Sequence, residues 1–302
     1  MRIAAVDIGG TALKYCVCGS AAGLDRSQVR ESPNLAGRGV SVPAQLTQLL
    51  GGLGAFDAIA VCTAGQVNPE TGTILYATDN IPGYSNTPLK ALLQEAFAVP
   101  VLVLNDVDAA AVGEGIFGAG ETFSDFLCLT YGTGIGGAIV IDRNLYYGSS
   151  FKAGEMGHIV THAGGLPCTC GNRGCYEAYA STTALARMVR EATGLSLDGR
   201  SIFARADSDP RIAGALTGWM DEVLLGLASL IHVFNPPCVI LGGGVMSEPR
   251  VLEYIHRNIY SHLMPSFWAT EIRSAVLGNC AGMMGAAALL ERQMKWKRGD
   301  PD

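Results

Sequence analysis

Hydrophobic and polar positions alternate along this chain in short blocks, and most blocks stop at a glycine or a carboxylate. Residues 2–6 form a short buried strand that stops at Asp7, and Gly9-Gly10 turns the chain into a second strand over 12–18. A third strand is expected at 29–31, a helix over 44–53 and a strand over 58–62. Pro88 suits the first position of a helix in which Leu89, Leu92, Leu93 and Phe97 share one face. Residues 101–104 are wholly apolar and deliver Asn105-Asp106 at their C-terminal end, with Ala109-Ala110-Ala111 opening a helix.

The second half repeats the plan. A strand over 126–130 runs into the glycine turn 132–137, the chain returns over 138–141, and 145–147 continues the meander. After a cysteine-rich loop and a set of helices, including the apolar stretch 212–234, a strand at 238–241 meets Gly242-Gly243-Gly244. A helix near 249–262, a strand over 271–277 and a helix over 283–294 close the pattern. Two successive β-β-β-α-β-α units imply an α/β fold duplicated in structure, with mixed sheets and a cleft between two lobes. The expected division is a small lobe of residues 1–112 plus 283–302 and a large lobe of 113–282.

Composition narrows the class. With 302 residues, 49% hydrophobic and 16% charged, the chain has a large core. A net charge of −6 gives no basic footprint for nucleic acid, and the basic string at 295–298 reads as a solvated helix end. Asn235-Pro236-Pro237 interrupts the longest apolar stretch, against a membrane span. No signal peptide precedes residue 2, and most of the nine cysteines lie in apolar runs, so a reducing, cytoplasmic setting is expected.

Three features carry chemistry. His158, Cys168, Cys170 and Cys175 have H-x9-C-x-C-x4-C spacing, a four-ligand zinc set. Four protein ligands make a closed, structural site, which would staple a loop and aim Glu155 and Glu177, just outside its two ends. The second feature is three glycine turns at strand ends: Gly9, Gly10 and Thr11; Gly132, Thr133, Gly134 and Gly136; and Gly242, Gly243 and Gly244. Backbone N–H groups converge on an anion at such places, which suits the phosphates of a nucleotide. Lys14 adds charge, and Asp7 suits a hydrated Mg²⁺. The third is Asp106, at a strand end where ligands of open α/β sheets bind. It reads either as the base that takes a proton from an attacking hydroxyl or as the N-cap of the next helix.

Taken together, the strings Asp7-Ile8-Gly9-Gly10-Thr11, Asn105-Asp106, 132–137 and 242–244, with Glu155-x-x-His158 and the cysteine module ending at Glu177, resemble the ROK family of sugar kinases. The resemblance spans nearly the whole chain. It implies the duplicated ribonuclease-H-like fold of actin-like ATPases, with Asp106 as general base for ATP-dependent phosphorylation of a hexose. It also implies that Asn105, Glu155, His158 and Glu177 bind sugar hydroxyls. Asn80, in Asn80-Ile81-Pro82-Gly83, joins them. Where the family has Pro-Gly-Pro-Val, this chain has Ala64-Gly65-Gln66-Val67; Gly65 still lets backbone approach the sugar. Val107-Asp108 stands where a small residue and an amide are common.

The leading expectation is therefore a Mg²⁺-ATP-dependent kinase for the 6-hydroxyl of a hexose. Glucose is the default acceptor, with N-acetylmannosamine, N-acetylglucosamine and β-glucosides as alternatives. A sugar sensor that keeps the hexose site but transfers no phosphate ranks lower, because Asp106 and all three glycine turns weigh against it. A chaperone-like ATPase ranks last, because the Glu-His-Glu set has no use there. A first strand at residue 2 leaves no room for an N-terminal DNA-binding domain. A mean hydropathy of +0.27, with the resemblance, points to a homodimer.

Overall fold

The computed structural model describes residues 1–298 and divides into two compact units, Met1–Glu121 with Tyr147–Ala153 and Leu277–Asp302, and Thr122–Tyr146 with Gly154–Val276. Residues 299–302 of the expected small lobe lie outside the described residues.

The first unit begins with β1 (Ile3–Ile8), β2 (Ala12–Cys18) and β3 (Arg30–Pro33). Then come α1 (Val42–Gly51), β4 (Ala58–Thr63), the two-stranded ribbon β5 (Gln66–Asn68) and β6 (Thr73–Tyr76), α2 (Leu89–Phe97), β7 (Val101–Asn105) and α3 (Asp106–Phe117). The sheet order is β3-β2-β1-β4-β7, antiparallel across β3, β2 and β1 and parallel from β1 through β4 to β7. Side chains alternate across a strand, so Ile3 and Ala5 of β1 face one core and Ala4, Val6 and Ile8 the other. The expected boundary at 112/113 falls inside α3.

The second unit holds β8 (Phe126–Tyr131), β9 (Ile135–Ile141), β10 (Asn144–Leu145), α4 (Glu177–Ala180), α5 (Thr182–Thr193), α6 (Gly199–Arg205), α7 (Pro210–Phe234), β11 (Cys238–Gly242), α8 (Pro249–Asn258) and β12 (Glu271–Ser274). Its order, β10-β9-β8-β11-β12, with β8, β11 and β12 parallel, is the topology of the first sheet again. Finally α9 (Ala281–Arg298) returns to the first unit, where its Gly285 meets Gly113 of α3 backbone to backbone. The α3/α9 side of the first sheet buries Ala109, Met283, Ala286 and Leu290; its other side buries Leu46 and Leu50 of α1 with Leu89 and Leu93 of α2.

Several expected limits shift. Pro88 caps α2 from outside, and Leu92 points outward, off the apolar face. Gly136 lies inside β9, paired with Thr130, because the hairpin closes by residue 135. β12 stops at Ser274, opposite Leu241 of β11, and β10 stops at Leu145 because Tyr147–Ala153 joins the first unit. α7 is long and apolar enough to cross a membrane, but its Ile212, Leu216, Trp219, Val223 and Ile231 are buried in the second unit.

Candidate active site and metal centre

In the first unit, sheet register assembles a carboxylate pair. Asp7 of β1 lies level with Cys62 of β4, and Cys62 lies level with Leu104 of β7. Leu102 and Leu104 face α3 and α9, and the chain beyond them reaches Asp106. Asn105, rather than Asp106, is the helix cap: its Oδ1 accepts the N–H groups of Val107 (2.8 Å) and Asp108 (3.1 Å). Asn105 Nδ2 donates to the Gly65 carbonyl (2.9 Å) and to Asp106 Oδ1 (3.0 Å), which also accepts the Val107 N–H (2.9 Å). An amide side chain has two donor hydrogens and two acceptor lone pairs. Asn105 uses all four, and reaches a sugar only by giving one up. Asp106 Oδ2 accepts no hydrogen bond among the described residues.

Partial burial, with charge beside charge, moves the carboxyls up. Burial, then the Asp7 charge, push Asp106 up to about 6. Burial also raises Asp7, against the opposing pull of Lys14, whose Nζ lies 3.9 Å from Asp7 Oδ2, and of the Cys62 thiol. Cys62 itself is held well above the ordinary thiol range by burial and both acids. Its place between the two carboxylates was not legible in a sequence where it reads as one more core cysteine. The first glycine turn is tied by Asn34, which donates its Nδ2 to the Gly9 carbonyl (2.8 Å) and its N–H to that of Thr11 (2.9 Å). Asn80 is exposed, its Cβ against Gly10. Gly65 has φ of +102°, and a Cβ there would lie 2.7 Å from the Tyr76 carbonyl oxygen, so only glycine fits.

In the second unit the four expected metal ligands converge, their donor atoms all within 4.8 Å of one another. Cys168 Sγ is 3.6 Å from His158 Nδ1, and Cys170 Sγ is 3.6 Å from Cys175 Sγ. Tetrahedral zinc with Zn–S of about 2.3 Å and Zn–N of about 2.0 Å sets neighbouring ligand atoms about 3.5–3.8 Å apart. All nine cysteines are free thiols. Donor set and spacing therefore fit zinc. His158 turns its other ring nitrogen, Nε2, towards Glu155 Oε2 at 3.8 Å, the usual outer partner of a metal-bound histidine.

Glu177 opens α4 and accepts the Ile135 N–H on Oε2 (2.8 Å). The second and third glycine turns are neighbours: a Cβ on Gly243 would lie 2.1 Å from the Tyr131 carbonyl oxygen. Thr182 and Thr183 donate their hydroxyls to the carbonyls of Gly132 and Thr133 (2.5 and 2.8 Å). Ser181-Thr182-Thr183 ahead of a helix is a cap signature that could have singled out these residues.

Comparison with known proteins agrees with this chemistry. The ROK family model matches residues 3–293. The chain is 35% identical over 297 residues to the β-glucoside kinase of Listeria monocytogenes, covering 95% of this chain and 96% of that protein. It is 35% identical over 253 residues to the glucokinase of Halalkalibacterium halodurans, covering 78% and 76%. Its fold is similar to that of a ROK family glucokinase from Streptomyces griseus solved with glucose and AMPPNP, at a TM-score of 0.82 and 31% identity, covering 97% of this chain and all of that one. With motif, topology and relatives in accord, the chain belongs to the ROK family and is an ATP-dependent sugar kinase with the actin-like ATPase fold.

Proposed function

We propose that this protein transfers the γ-phosphoryl group of ATP to the 6-hydroxyl of a hexose or hexose derivative, with Asp106 as general base. The observation that carries this is the asymmetry of the Asp106 carboxyl, one oxygen held by two donors and the other without a hydrogen bond. Oδ2 takes the proton of the sugar hydroxyl as its oxygen attacks phosphorus. A value near 6 leaves the group ionised at neutral pH yet basic enough to hold that proton. Asn105 is a positioning residue that fixes the carboxyl plane.

Asn80, Glu155, His158 and Glu177 take sugar hydroxyls, and Gly65 keeps backbone close to the ring. The turns at Gly9, Gly10 and Thr11, at 132–134 and at 242–244 bind the nucleotide. Asp7 is the oxygen donor suited to a hydrated Mg²⁺, which would neutralise phosphate charge. His158, Cys168, Cys170 and Cys175 would hold zinc as a loop staple, with no part in proton transfer. Glucose is the default acceptor, and the similarity to a β-glucoside kinase keeps the free 6-hydroxyl of a β-glucoside beside it.

The test is ADP release from Mg²⁺-ATP across glucose, mannose, fructose, both N-acetylhexosamines and cellobiose, with Asp106→Asn in parallel. A sugar-dependent rate that collapses in the variant supports the assignment. A variant that folds and turns over normally overturns it.

A further inference from the structure

The turn at residues 132–134 is held from one direction only. Gly132 O accepts the N–H of Thr182 (2.8 Å) and its hydroxyl, and Thr133 O accepts the Thr183 hydroxyl. The N–H that follows the turn, on Ile135, goes to Glu177 Oε2. These anchors all come from the start of α4 and the start of α5. The N–H groups of Thr133 and Gly134 meet no protein acceptor among the described residues. A Cβ on Gly134 would press on Glu177 Oε2 and displace that side-chain tip from the turn.

Glu177 is also joined to the metal loop on both sides. Two residues upstream is Cys175, whose strand bridge to Val160 and the bond from Tyr176 N–H to Ile159 O (2.8 Å) fix where α4 begins. Thr169, between ligands Cys168 and Cys170, directs its hydroxyl at Glu177 Oε1 across 3.5 Å. Nothing in the strands β8 and β9 supplies these anchors.

We propose that the metal loop is the support of the 132–134 turn, with Glu177 as the positioning residue that joins them, so that filling the four-ligand site tightens nucleotide binding. The metal acts through the backbone: a Cys175 held by zinc sets the start of α4, α4 sets Glu177, and Glu177 sets the Ile135 N–H and the turn before it. This role is separate from any sugar contact of Glu177, since it uses Oε2. It rests on the assignment of the 132–134 turn to the nucleotide.

The experiment measures AMPPNP affinity by calorimetry with Mg²⁺ and no sugar, and amide exchange at Ile135 on the same samples. Glu177→Ala should weaken AMPPNP binding and speed Ile135 exchange each by roughly tenfold, the worth of one hydrogen bond to a charged group. Glu177→Gln keeps an acceptor oxygen and should restore both. Zinc-stripped wild-type protein should move both readouts in the same direction as Glu177→Ala. Thr183→Val, which removes one anchor without touching Glu177, should weaken AMPPNP binding by a smaller factor. Unchanged Ile135 exchange in Glu177→Ala and in stripped protein overturns the link itself. Faster exchange with unaltered AMPPNP affinity overturns the assignment of this turn to the nucleotide, and the proposal with it.

Discussion

The two sheets share one topology and differ at the ends of their equivalent strands. In the first, β1, β4 and β7 end at Asp7-Ile8, at Cys62-Thr63 and at Asn105, with Asp106 next. In the second, β8, β11 and β12 end at Thr130-Tyr131, at Gly242 and at Ser274. One copy concentrates charge in a half-buried place, at a cost visible in the raised carboxyls. The other offers backbone and hydroxyls, and imports its charged groups from a loop with little regular structure, around a metal-ligand set. The duplicated frame thus supplies positions, and under the proposed function what stands at those positions divides the work between acid-base chemistry and backbone recognition.

The strongest way to break this division is Asp106→Asn. It should lower kcat by about 10²- to 10⁴-fold, the range for losing a general base, measured by ADP release at saturating sugar. The same variant should melt no lower than wild type at pH 7.5, because it removes a charge that the folded state disfavours.

Cys168→Ser attacks the other region. It should cost more than the about 10- to 100-fold in zinc affinity that loss of an outer partner causes, read by competition with a chromophoric chelator. Retention of full zinc content by this variant would rule out Cys168 as a ligand.

The pH dependence separates the regions again. Asp106 must be ionised to accept a proton, so kcat should fall about tenfold per unit below pH 6, the position of its raised carboxyl. For stability the sign is opposite. The folded value lies above the ordinary one, so the folded state binds more protons, and stability falls as pH rises from about 4 to about 6. Asp106→Asn should lose that slope in urea titrations.

The smallest effect belongs to Gly65→Ala, which forces a side chain into a left-handed conformation and against the Tyr76 carbonyl. It should destabilise the protein by about 1–3 kcal/mol. Unchanged thermal stability would mean that the ribbon β5–β6 yields.

Much of this was legible before the structure. Asp106 was readable because four apolar residues end at it, and the zinc set because its four donors lie within eighteen positions of one loop. Asn105 as cap in place of Asp106 was not readable, since both residue types cap helices. Asn34 under the first turn and Cys62 between the acids depend on which strands become neighbours, which local pattern does not report. The limits of β9, β10 and β12 were misplaced for the same reason: they depend on strand pairing and on which unit the chain joins next.

By itself the sequence determined the elements, their duplication and the residue types available for chemistry, because periodicity and turn residues act within a few positions of one another. Only the tertiary structure decided which carboxyl oxygen stays open, which acids share a face and which threonines hold the turn. Those are contacts between residues tens of positions apart. Register and burial set them, and register and burial also raise the Asp106 carboxyl.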